Sequence, residues 1–106
     1  MADCVYLKFF VLEQQRHEGQ PLYQWLLRRA ARLGLPGGSA FRAIAGYGRH
    51  RVLHEAHFYE LASELPMEVV FVASRDQADL LIAEVTSAGL SLFHYMMPAR
   101  SGTTGS

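Results

Sequence analysis

The stretch from Cys4 to Leu12 is rich in the β-branched and aromatic residues that favour strands. Because successive side chains of a strand point to opposite faces, Val5, Leu7, Phe9 and Val11 would share one face. The residues between them are also mostly apolar, with Lys8 as the exception. This pattern predicts a strand that is covered on both sides.

A helix is predicted from Pro21, which suits a first helical position because its missing N–H donor would be unpaired there, to about Leu33. Apolar residues recur at helical spacing along this segment, and Gly34 and Pro36 end it. After the Gly37-Gly38 pair, the alternation from Ser39 to Gly46 predicts a second strand.

In the second half of the chain, 54–61 is a candidate for a frayed strand that pairs back on the one before it. Met67–Ala73 is predicted as a clear strand because of its β-branched content. Ser74 and Gln77 form a capping-box pattern that predicts the start of a second helix. Gly89 is placed to end that helix, and 90–97 reads as the last strand.

This order predicts an α+β domain with ferredoxin-like split βαβ topology, in which both helices cover one face of an antiparallel sheet. The other face would stay open, and apolar residues that point to it would need a partner, most simply other copies of the chain. The candidates are Tyr6, Phe10, Val70, Val72, Leu92 and Met96. One domain is expected over 1–100, followed by a mobile Gly, Ser and Thr tail over 101–106.

Composition narrows the function classes. Ten basic and ten acidic residues cancel, which argues against a nucleic-acid partner. Cys4 is the only cysteine, so no internal disulfide can form and a cytoplasmic location is expected. The apolar run at the N-terminus is too short to span a bilayer, so no membrane insertion is expected.

Three segments together resemble a known family: Gly19 to Tyr23, Gly34 to Gly38, and Phe41 to Gly48. They resemble the domain of unknown function 190 family, whose members are similar to the PII signalling proteins. The resemblance implies a homotrimer that binds a small anionic effector, such as an adenine nucleotide, between subunits and signals to a protein target such as a transporter or enzyme. One departure is the segment 86–91, which has one glycine and no lysine where PII proteins have a phosphate-binding loop.

The candidate ligand site is the loop from Gly46 to Arg51. Its glycines let the backbone approach an anion, and its two arginines can each donate two hydrogen bonds to that anion. A plain hairpin turn with solvated charges is the competing interpretation. In a PII-like arrangement Arg100 would approach from a neighbouring subunit. The predicted ligand residues are Arg42, Gly46, Tyr47, Gly48, Arg49, Arg51 and Arg100.

Two other chemistries are weaker candidates. His50, His54 and His57 lie close together, and the copper-tolerance protein CutA has a similar trimeric fold, so divalent-metal binding is the alternative function. No standard metal-site spacing is present, and no metal ligands are predicted. Cys4 has no recognisable activating base, so the chain is not expected to be an enzyme.

Replacing Arg49 and Arg51 together with alanine is expected to weaken binding of an anionic ligand, because each charge-assisted contact contributes about 1.5 to 3 kcal/mol. Calorimetric titration of both proteins would measure the difference. Unchanged affinity in the double variant would show that the loop is a hairpin turn with no role in ligand binding.

Overall fold

The computed structural model describes residues 1–46 and 66–105 of the chain. Its elements run in the order β1 Ala2–Leu12, β2 Arg16–His17, β3 Gln20–Pro21, α1 Leu22–Arg32, β4 Gly38–Arg42, β5 Pro66–Ala73, α2 Arg75–Ser87 and β6 His94–Ser101. Four strands form an antiparallel sheet in the order β4-β5-β1-β6. The predicted ferredoxin-like fold is confirmed, while the predicted strand over 54–61 lies outside the described residues.

The hydrophobic core lies between the two helices and one face of the sheet. The predicted inward set of β1 is buried, and Val5, Leu7, Phe9 and Val11 are each at most 7% exposed. They meet alternate residues of β5, and the rings of Phe9 and Phe71 pack edge to face with centroids 6.4 Å apart. Both helices contribute apolar side chains to this same cluster, so they share one face of the sheet.

Both helix starts follow the sequence prediction. Pro21 is the N-cap residue of α1, so this helix begins without a side-chain cap. Ser74 caps α2 through the predicted capping box, in which its hydroxyl accepts from the Gln77 amide and the Gln77 side chain accepts from the Ser74 amide. The side-chain Nε2 of Gln77 also donates to the Gly34 carbonyl oxygen at 2.8 Å, which ties the start of α2 to the end of α1.

The segment before α1 is more ordered than its polar composition suggests. Strands β2 and β3 form a small hairpin, in which His17 pairs with Gln20. Both residues of its turn have positive φ, 53° at Glu18 and 79° at Gly19, as a two-residue hairpin turn of this kind requires. Sequence analysis predicted only a polar connection here.

Two strands, β4 and β6, have boundaries that lie four residues from the predicted ones. Strand β4 ends at Arg42 and does not continue to Gly46. Strand β6 begins at His94 and continues through Pro98 to Ser101, whereas 90–97 was predicted. Proline is tolerated there because β6 is an edge strand, where a missing N–H donor breaks no bond to a further strand. Ser101 pairs with Ala2, so the first residue of the predicted tail belongs to the sheet; mobility of 102–106 stays a prediction.

Two residues predicted on the open face lie on the helix side of the sheet instead. Met96 pairs with Leu7, whose side chain lies in the core, so Met96 also faces the helices. Leu92 likewise packs against the core. Alternation along β6 therefore turns Tyr95 and Met97 to the open face instead.

A methyl group at Gly38 is expected to destabilise the protein by about 1 to 3 kcal/mol, because overpacking forces neighbouring side chains to move. A Cβ atom there would lie 2.5 Å from a ring carbon of Phe71, which is only 1% exposed. Urea unfolding of Gly38→Ala measures this cost. The matched control is Gly37→Ala, where nothing lies within 4 Å of the added carbon. Equal stability of the two variants would contradict the close approach of β4 to the core.

Candidate functional site

Arg42, a predicted ligand residue, is the last residue of β4, and its guanidinium is hydrogen-bonded to the carboxylate of Glu13. Its Nε donates to Glu13 Oε1 at 3.1 Å, and its Nη2 donates to Glu13 Oε2. These hydrogen bonds lower the pKa of Glu13 and raise that of Arg42, so both stay charged at neutral pH. The Arg42 side chain is 55% exposed, and a ligand anion can therefore reach it from solvent. No sequence signal links Glu13 to Arg42, which is 29 residues away.

Arg100, the second predicted clamp, lies on the opposite edge strand β6. Its side chain is 66% exposed, and its Nε lies 4.0 Å from Asp3 Oδ1, which is a loose ion pair. An open depression beside it is lined by Asp3, Cys4, Pro98 and Ala99. The depression offers a second guanidinium that solvent can reach.

A single chain does not bring Arg42 and Arg100 together. Arg42 pairs with Met67, which pairs with Val11 at the far end of β1, whereas Arg100 pairs with Asp3 at its beginning. Eight residues of extended strand span about 27 Å at roughly 3.4 Å per residue. The two arginines are also on opposite edges of the sheet. A ligand that contacts both would have to lie between two copies of the chain.

Of the remaining candidate ligand residues, the structure describes only Gly46. Gly46 is the last described residue before 66, and Tyr47, Gly48, Arg49 and Arg51 lie outside the described residues. The histidines 50, 54 and 57 of the metal alternative lie outside them as well. In the part of the chain that the structure describes, no three His, Cys, Asp or Glu side chains are arranged to hold a metal ion. These site assignments stay predictions.

A cluster that sequence analysis missed fastens the β2–β3 hairpin to α1. The ring of His17 lies edge-on to that of Trp25, with centroids 4.9 Å apart, and the Trp25 Nε1 donates to Glu18 Oε1 at 3.2 Å. The Arg29 guanidinium lies 4.9 Å from the Trp25 ring centroid and is bound in turn by Glu84 of α2. Trp25 is only 3% exposed, so it acts as a packing residue.

The sheet surface opposite the helices, here called the open face, is largely aromatic and aliphatic. Four of the six residues predicted for it lie there: Tyr6 and Phe10 on β1, and Val70 and Val72 on β5. The rings of Phe93 and Tyr95 lie 5.4 and 5.9 Å from that of Phe10. The open face consists of Tyr6, Lys8, Phe10, Phe41, Glu68, Val70, Val72, Phe93, Tyr95 and Met97.

Lys8, the only lysine of the chain, occupies the middle of the open face. Its Nζ lies 2.8 Å from Glu68 Oε1 and between 5.6 and 5.8 Å from the ring centroids of Tyr6, Phe10 and Tyr95. The hydrogen bond to Glu68 is the main cause that raises the Lys8 pKa above its ordinary value of 10.5, so this side chain is charged at neutral pH. A single lysine inside an otherwise apolar strand was a signal that the sequence already carried.

Sequence comparison shows the family of this chain. The family model of DUF190, described as uncharacterized ACR, matches residues 4–93, so the chain belongs to this family. A UPF0166 protein of Aquifex aeolicus (strain VF5) is 35% identical over 79 residues, which cover 74% of this chain and 75% of that protein. The resemblance seen in the glycine-containing segments is thereby confirmed.

Among solved structures, the fold is similar to PII-like proteins. A putative PII-like signalling protein from Thermus thermophilus superposes with a TM-score of 0.63 at 11% identity, covering 92% of this chain and 87% of that one. CPII, a nitrogen regulatory PII-like protein from Thiomonas intermedia K12 bound to ADP, AMP and bicarbonate, gives 0.61 at 16% identity, covering 95% and 94%. Neither helix of the described residues is long and apolar enough to cross a membrane.

Proposed function

We propose that this chain is a PII-like regulator of the cytoplasm that binds a small anionic ligand, an adenine nucleotide in the first instance, and signals to a protein partner. The observation that carries the proposal is the PII-like fold of a DUF190 family member, since the similar protein CPII is bound to ADP, AMP and bicarbonate. Fold likeness at this identity does not transfer a ligand by itself. The two reachable arginines supply the chemistry that an anion needs.

The proposed binding place is the cleft between copies of the chain. Arg42 and Arg100 lie on opposite edges and at opposite ends of the sheet, so one chain cannot bring both to the same ligand. The second arginine would have to come from a neighbouring copy. Arg42 is held by Glu13 in the isolated chain, with side chains that are 55% and 29% exposed. Exposed ion pairs are weak, so a ligand phosphate or carboxylate can compete for this guanidinium.

Binding without catalysis is the proposed mode of action. Cys4 is half-buried, and the charged residues that share its depression are Asp3 and Arg100. Nucleophilic catalysis needs a base that is oriented by a third group. A ligand-binding role requires only that anion-binding groups converge, which fits the arginines better.

Titration with ADP, AMP and ATP, each with and without bicarbonate, is expected to give saturable binding of at least one nucleotide. Arg42→Ala and Arg100→Ala should each weaken it about ten- to a hundredfold, the equivalent of one charge-assisted contact. Arg75→Ala is the control, because Arg75 is 71% exposed on α2 and pairs only loosely with Asp79, 3.5 Å away. Copper or zinc binding with no nucleotide binding would favour the CutA-like alternative and reject the proposal.

We also propose that the chain forms a homo-oligomer, a trimer as in the PII arrangement, through the open face. Val72, Phe93, Tyr95, Met97 and Phe41 of that face are each between 36% and 56% exposed. A contiguous apolar surface of this kind is costly to leave in water. Association of copies would cover it and bring the edge strands of neighbours close together.

Val72→Asp is expected to dissociate the oligomer, because a carboxylate without a partner would be buried on association. Light scattering over a range of protein concentrations measures the mass, and circular dichroism shows whether the variant is folded. Leu80→Asp is the matched control, since Leu80 is 52% exposed on α2, away from the open face. An unchanged mass for Val72→Asp would reject the open face as the contact surface.

A further inference from the structure

The open face has a polar centre and an apolar rim. Lys8 and Glu68 lie together at its middle with side chains 15% and 34% exposed, and Tyr6, Phe10 and Val70 beside them are also half-buried. The more exposed apolar residues of the face, at 36% to 56%, are Phe41, Val72, Phe93, Tyr95 and Met97. Protein interfaces usually show the reverse, with an apolar centre and a polar rim. The arrangement therefore needs a reason beyond the covering of apolar surface.

The electrostatics of this centre change when the face is covered. In the isolated chain, Glu68 still reaches water beside its bond to Lys8 Nζ. A surface resting on the rim would remove that water from both groups. A buried ammonium is stable only if a carboxylate replaces its water, and cation–π contacts with Tyr6, Phe10 and Tyr95 add a smaller attraction.

We infer that the Lys8–Glu68 pair lies, shielded from water, at the centre of the surface through which copies of this chain associate. Association requires either both charges or neither of them. The inference rests on the self-association proposed above. A second copy is the occupant that the charges favour. Lys8 and Glu68 cancel, and the other residues of the defined open face are uncharged, so two such faces can meet without net repulsion.

Single-stranded nucleic acid is the competing occupant, because bases stack on aromatic sheet surfaces. Such surfaces combine the aromatic residues with a basic groove that follows the backbone phosphates. On the open face the one cation is already bonded to Glu68, and the chain as a whole has no net charge. Among the described residues of this face, no unpaired cation is therefore available to bind backbone phosphates.

The first test measures mass against concentration by sedimentation for the full chain and three variants. Glu68→Gln leaves the ammonium of Lys8 without its carboxylate, and its dissociation constant is expected to rise at least tenfold. Lys8→Met should have a similar effect, because it leaves Glu68 unpaired. The double variant Lys8→Met with Glu68→Leu removes both charges and is expected to associate within tenfold of the unaltered chain.

The matched control is Glu84→Gln, which breaks a second half-buried ion pair, 2.6 Å from Arg29 to Glu84, on the helix side of the sheet. Its mass should follow that of the unaltered chain. Circular dichroism and thermal unfolding of every variant separate dissociation from loss of fold. A folded Glu68→Gln that associates normally would overturn the inference, as would a double variant that dissociates as much as the single ones.

The second test needs no substitution, because Lys8 is the only lysine and its Nζ is one of two amines in the chain, with the amino terminus. An amine-reactive ester should label Lys8 more slowly, relative to the amino terminus, as protein concentration rises and the face is covered. A labelling ratio independent of concentration, in a range where the mass changes, would place Lys8 outside the contact and overturn the inference.

These outcomes are separate from those of the proposed function. If the chain associates but the single substitutions at Lys8 and Glu68 do not weaken association, the ion-pair inference is rejected and the nucleotide-binding proposal is unaffected. A chain that stays monomeric at all concentrations rejects the inference together with self-association. Binding of a labelled single-stranded RNA that is lost in Tyr95→Ala would assign the open face to nucleic acid and also overturn it.

Discussion

The pairing of β1 on both sides is the constraint on which the rest of the structure depends. This strand bonds to β5 along one edge and to β6 along the other, so its alternation sets the phase of three strands at once. Phe9 and Phe71 meet in the core because their positions are fixed by this register. A slip of one residue would exchange the core face with the open face, which makes the register strongly specified.

The same phase accounts for the open face. Two helices cover one side of the sheet, and the odd-numbered residues of β1 from Val5 to Val11 fill the core beneath them. Tyr6, Lys8 and Phe10 are left on the other side, together with their partners on β5 and β6. An aromatic surface with an ion pair at its middle is thus a direct consequence of how β1 is paired, and it gives a physical basis for association with other copies.

The sheet edges explain where ligand chemistry can arise. Edge strands β4 and β6 carry Arg42 and Arg100 at opposite corners, and each guanidinium has a carboxylate neighbour that solvent can reach. In the described strands of this sheet, the two well-exposed cations are therefore at its borders, whereas Lys8 in its interior is only 15% exposed. A site that used both arginines would require two copies of the chain, and a ligand would have to compete with Glu13 for Arg42.

The sequence alone determined the fold class, both helix starts and the inward face of β1, because alternation, the Pro21 start and the capping box at Ser74 are local signals. It also carried the family resemblance through its glycine-containing segments. Tertiary structure decided the phase of β6, because the register in which Met96 pairs with Leu7 turns Met96 toward the core. It also decided that β6 continues through Pro98, which a strand at the edge of a sheet tolerates. It also decided the bonds of Arg42 to Glu13 and of Lys8 to Glu68, since contacts between residues far apart in the chain depend on strand register and leave no local pattern.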